Sequence, residues 1–92
     1  MAEPRDVMIK RLRMRSMRRG IKEMDLILSD FATRHLDGMT DAGLGLYDAL
    51  IAENDHDLYA WVGGNSPVPA RYLDLITMIA AGAKGLTSPT VK

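Results

Sequence analysis

Apolar residues recur every three to four positions along almost the whole chain, and no stretch alternates apolar and polar with a period of two. That spacing predicts five helices and no strands. The clearest stripe is Ile21, Met24, Ile27, Leu28 and Phe31, broad enough to be the buried face of a helix from about Ile21 to His35. A first helix, beginning after Pro4 and ending near Arg19, has only a thin stripe of Val7, Met8, Leu12 and Met17. Arg18 and Arg19 suit the negative pole at its C-terminal end, and Gly20 is the expected stop. After an Asp37-Gly38 turn, Thr40 caps a third helix that turns Leu44, Tyr47, Leu50 and Ile51 inward. Gly43 and Gly45 weaken that helix by about 1 kcal/mol each relative to alanine, so packing must hold it. Asn54 or Asp55 caps a short fourth helix carrying Leu58, Trp61 and Val62, and Gly63-Gly64 ends it. A fifth helix from about Ala70 to Gly82 faces Tyr72, Leu73, Ile76 and Ile79 inward.

A length of 92 residues sets these helices in one small all-α domain, a five-helix bundle spanning residues 1–92. Order is expected over about residues 5–85, and the Thr-, Ser- and Pro-rich residues 86–92 read as a mobile tail. The chain has no cysteine, which excludes disulfides, thiolate metal sites and thiol nucleophiles. His35 and His56 form no ligand cluster and read as surface or helix-end residues, so no metal is expected. No apolar run reaches the ~18 residues of a transmembrane helix, so no membrane insertion is expected. The Arg-rich N-terminus contains Glu3 and Asp6 and runs straight into the bundle. It reads as mature fold, not as a transit peptide, which favours a bacterial cytoplasmic protein.

Charge changes the picture more than composition does. Residues 1–22 carry eight basic and two acidic side chains, residues 23–57 one basic and nine acidic, and the net charge of the whole is zero. A basic end joined to an acidic body suits docking onto a partner with a charge pattern of its own. The two regions meet at Arg18-Arg19-Gly20-Ile21-Lys22-Glu23-Met24-Asp25. One reading is a helix junction: Gly20 as N-cap, Glu23 at the third helical position reaching back, and Arg19 pairing with Glu23. The other is a recognition corner, in which Gly20 lets a partner approach while Arg19 and Glu23 present donors and acceptor. Asp55, Asp57, Leu58 and Trp61 read as capping aspartates followed by core residues. The seven methionines are core filler or an adaptable binding surface. A Ser-His-acid set, a phosphate-cradling glycine loop and a carboxylate pair in a cleft are all missing, so no catalytic residue is assigned and no enzyme is expected.

Arg19-Gly20-x-x-Glu23-x-Asp25, then Asp55-x-Asp57-Leu58-x-x-Trp61-Val62 and the Pro67 loop, resembles the succinate dehydrogenase assembly factors, the flavinator family. The similarity covers about residues 5–80. It implies a small helical protein that binds the flavoprotein subunit of succinate dehydrogenase, or the related fumarate reductase. It also implies that the protein promotes covalent attachment of FAD to a histidine of that subunit. The partner-binding residues it implies are Arg18, Arg19, Gly20, Glu23 and Asp25. FAD would belong to the partner, with no cofactor held stably by this chain, and the chain alone would be a monomer. Gly43, Gly45 and the Ala- and Gly-rich fifth helix depart from the bulkier pattern expected of the family. The runner-up is an antitoxin-like regulatory or nucleic-acid-binding module, which the basic N-terminus could serve, although it lacks interleaved aromatics. A purely structural oligomerisation module is the third class.

Overall fold

The computed structural model describes residues 3–83, and the tail expected over residues 86–92 lies outside them. Five α-helices appear: α1 Arg5–Arg15, α2 Lys22–His35, α3 Asp41–Ile51, α4 Asp55–Val62 and α5 Leu73–Ala83. Short 3₁₀ turns at Leu36–Gly38 and Ala70–Tyr72 precede α3 and α5, and no strand occurs among the described residues. The all-α, five-helix reading therefore holds.

The α2 helix is the hub, packing against α1, α4 and α5. Its predicted stripe is buried at Met24, Ile27, Leu28 and Phe31, with Ile21 half-buried at its mouth. All four residues expected inward on α3, Leu44, Tyr47, Leu50 and Ile51, are buried. The Thr40 side chain caps α3 by accepting from the Gly43 N–H, and Asn54 caps α4 by accepting from the His56 N–H. Trp61 is half-buried with its ring 5.8 Å from that of Tyr72. His35 ends α2 with its ring 4.7 Å from Phe31, and His56 is exposed.

Two stripes differ from expectation. On α1 the buried residues are Ile9 and Leu12, while Val7 and Met17 are about half exposed. A row of arginines supplies the rest of the attachment of this helix. Arg5 pairs with Asp41, Arg11 and Arg15 both pair with Asp48, and Arg13 pairs with Asp37. The Arg11 guanidinium holds the Asp48 carboxyl below its ordinary range. Exposed pairs contribute roughly 0.2–1 kcal/mol each, against about 1.5–3 kcal/mol for a buried Leu or Ile. Ile9 and Leu12 therefore hold α1 down, and the ion pairs fix its register. The fifth helix starts later than expected because Ala70–Tyr72 winds as a 3₁₀ turn, but Tyr72, Ile76 and Ile79 are buried as expected. Leu75 is buried in place of Leu73, which points outward.

A polar contact lies inside this core. Ser16 and Tyr47 are both fully buried, their hydroxyl oxygens are 2.6 Å apart, and Ser16 also donates to the Leu12 carbonyl. Burial pushes the Tyr47 phenol up to about 12, outweighing the field of Arg19, which pulls it down.

Two stability predictions follow from this packing. An unfolded chain releases the Tyr47 proton near pH 10 and the folded chain only near 12. The folded state thus binds more protons in that window, and this residue's contribution falls as pH rises through it, by about 2–3 kcal/mol. Urea titrations from pH 9 to 12 are expected to show the decline in the wild type and a shallower one in Tyr47→Phe. Gly45 is an exposed residue in the interior of α3, and a Cβ added there meets nothing within 4 Å. Gly45→Ala is expected to raise unfolding stability by about 0.5–1 kcal/mol in the same assay.

Candidate functional site

The chain between α1 and α2 is a six-residue elbow, not a single-glycine corner. The first helix ends at Arg15, four residues short of the predicted end. Two local features stop it. The Ser16 hydroxyl bonds back to the Leu12 carbonyl, and Arg18 takes a left-handed backbone with φ +55°. For a residue with a Cβ that conformation costs roughly 1–2 kcal/mol. Gly20 is thus not the left-handed stop, a role taken by Arg18 two residues earlier. Ile21, extended, is the N-cap of α2 and makes no side-chain cap bond. Glu23 is therefore the second helical residue, and the reciprocal cap expected between Gly20 and Glu23 does not form. Glu23 and Asp25 still lie in the first turn, where the positive pole of the helix favours them.

The expected Arg19–Glu23 pair does not form either. Arg19 turns inward, its side chain only 10% exposed, and all three guanidinium nitrogens are engaged. Nε donates to Asp55 Oδ1 at 2.8 Å, Nη1 to the Arg15 carbonyl at 2.8 Å and Nη2 to the Ile51 carbonyl at 2.9 Å. Nη2 also lies 2.6 Å from Asp55 Oδ1. Arg15 and Ile51 are the last residues of α1 and α3, and Asp55 is the first of α4. One cation thus sits at the negative ends of two helices and binds the carboxylate at the positive end of a third.

Gly20 is part of the same arrangement. Its N–H donates to the other Asp55 oxygen, Oδ2, at 2.6 Å. A Cβ on residue 20 would lie 3.1 Å from that oxygen, so glycine is there for close approach and not for its φ. Asp55, expected only as a helix cap, ties the two sequence motifs together. Nothing in helical periodicity carries that information; only the joint occurrence of the motifs hinted at it.

The remaining predicted residues face outward. Arg18, Gly20 and Glu23 are exposed, and neither Arg18 nor Glu23 has a hydrogen-bond or ion-pair partner among the described residues. Asp25 is half-buried and accepts from Ser29 Oγ at 3.2 Å. The elbow presents a mixed-charge surface of Arg18, Gly20, Lys22 and Glu23 over a bonded frame of Arg19 and Asp55.

A family model described as flavinator of succinate dehydrogenase matches residues 10–83, which include the elbow, Asp55 and all of α2 to α5. The chain belongs to the flavinator family. It is 52% identical over 65 residues to the mitochondrial succinate dehydrogenase assembly factor 2 of Candida glabrata, covering 67% of this chain and 42% of the relative. The protein of the same name from Meyerozyma guilliermondii is 44% identical over 75 residues, 78% of this chain and 56% of the relative. The one from Aedes aegypti is 42% identical over 72 residues, 76% of this chain and 45% of the relative. The chain spans about half the length of these curated flavinator-family relatives. The names also correct the expectation of a bacterial cytoplasmic protein, because each relative is named as mitochondrial.

If the frame and surface divide in this way, their variants separate in urea unfolding. Arg19→Ala strands the Asp55 carboxylate and two helix-end carbonyls, and is expected to lose roughly 2–4 kcal/mol. Arg19→Lys keeps the charge but not the planar fork, and should recover less than half of that loss. Glu23→Ala should stay within about 1 kcal/mol of wild type.

Proposed function

We propose that this chain binds the flavoprotein subunit of succinate dehydrogenase, or of the related fumarate reductase, and promotes covalent attachment of FAD to a histidine of that subunit. The observation that carries the reading is the elbow itself. Within the residues matched by the flavinator model, a stiff, narrow turn is fixed from inside and leaves Arg18, Gly20 and Glu23 outward. Gly20 has no Cβ to hold a docking surface away. Arg18 supplies donors and Glu23 an acceptor, Asp25 supports the turn behind them, and Arg19 holds its shape. The compartment that the relatives' names supply for this work is the mitochondrion.

The chain's contribution is positional. FAD and the histidine that bonds to it belong to the partner. The elbow binds a conformation of the flavoprotein in which the two are aligned, and alignment of reacting groups can lower a barrier by several kcal/mol. None of the elbow residues is assigned a bond-making role. No helix among the described residues is long and apolar enough to cross a membrane.

Deleting the gene and measuring covalent flavin fluorescence of the denatured flavoprotein subunit tests this directly. The deletion is expected to lose the signal and the wild-type gene to restore it. Glu23→Ala should restore flavin about tenfold more slowly, the equivalent of one lost contact of ~1.4 kcal/mol. Gly20→Arg, which displaces Asp55 and blocks the approach, should fail to restore it. Full covalent flavin in the deletion strain would refute the function, whereas full rescue by both variants would refute only the site.

A further inference from the structure

We infer that Arg18 is the elbow's reading residue, held in a strained backbone so that its guanidinium stays free to bind a carboxylate on the partner. The inference rests on the proposed flavoprotein docking and deepens it. Two independent observations converge on this one position. Every other arginine among the described residues has a carboxylate oxygen within 3.5 Å of its guanidinium. Arg18 alone has none, although acidic side chains equal basic ones in number. It is also the one non-glycine residue among the described residues with a left-handed backbone.

Glycine accepts that conformation without steric cost, so for folding alone residue 18 is a glycine position. A strained residue persists where the surrounding structure over-determines it, and such residues cluster at binding and switch sites. What this side chain offers is a planar fork matched to a carboxylate. The surroundings favour a lone carboxylate set among neutral or cationic groups of a protein over the repeated phosphates of a nucleic acid. Glu23, Asp25, Asp55 and Asp57 lie on the same two helix ends and would repel a polyphosphate, while Arg18 and Lys22 supply only isolated cations. The two adjacent arginines thus differ in role: Arg19 points in and holds the frame, and Arg18 points out and reads the partner.

The test pairs urea unfolding with binding of the full chain to the purified flavoprotein subunit. Arg18→Gly is expected to leave the urea midpoint equal to or above wild type and to weaken binding at least about tenfold. Arg18→Ala, still left-handed, should weaken binding equally without raising the midpoint. Binding by Arg18→Gly within about twofold of wild type, while wild type itself binds, would overturn this inference and leave the proposed function standing. Failure of wild type to bind the flavoprotein would overturn both. Salt-dependent binding to a single-stranded RNA probe that Arg18→Gly abolishes, with flavoprotein binding unchanged, would overturn the choice of a carboxylate partner.

Discussion

Three helix ends converge on the guanidinium of Arg19. It donates to the terminal carbonyls of α1 and α3 and to the first-turn carboxylate of α4, and that carboxylate in turn accepts the N–H of Gly20. Helix ends leave backbone groups without intrahelical partners, and burying them unpaired costs free energy. One side chain here satisfies two such ends and neutralises the acid at a third. Without it the elbow would be a loop of exposed polar backbone. With it, a six-residue connection becomes a fixed shape on which outward side chains have defined positions.

Much of the fold can be read from periodicity, and the reason is plain in the residues. The stripes of α2 and α3 are long, aliphatic and bounded by residues with clear capping chemistry, as at Thr40 and Asn54. Where the stripe is thin, as on α1, apolar spacing finds Leu12 but misses Ile9 and wrongly turns Val7 and Met17 inward. That helix is positioned partly by arginines pairing with Asp37, Asp41 and Asp48, residues at least 24 positions away in sequence. The start of α5 was missed for a different reason: its first expected residues wind as a 3₁₀ turn of three residues per turn, which leaves Leu73 outside while Tyr72, Ile76 and Ile79 stay inward as expected.

The elbow was located correctly as a place but not as a mechanism. Gly20 read as a conformational stop, yet the left-handed residue is Arg18, and Gly20 makes room for a carboxylate. Arg19 read as an outward fork, yet all three of its guanidinium nitrogens are engaged inside. A basic residue at a helix end gives no local sign of which acid it will meet when that acid is 36 positions on. The two motifs that carry the family resemblance are halves of one bonded unit. A change in either half therefore alters the presentation of the other, and variants of Arg19 or Asp55 would mix loss of fold with loss of docking. Arg18 and Glu23 are the positions where docking can be read alone.

Hydrogen exchange of the Gly20 amide measures the central tie most directly. Gly20 is exposed, so without the bond to Asp55 its N–H would exchange as in an unstructured peptide. Strong protection is predicted in the wild type, lost in Asp55→Ala and in Arg19→Ala while amides in the middle of α2 remain protected. Exchange of the wild-type Gly20 amide at the free-peptide rate would contradict the account.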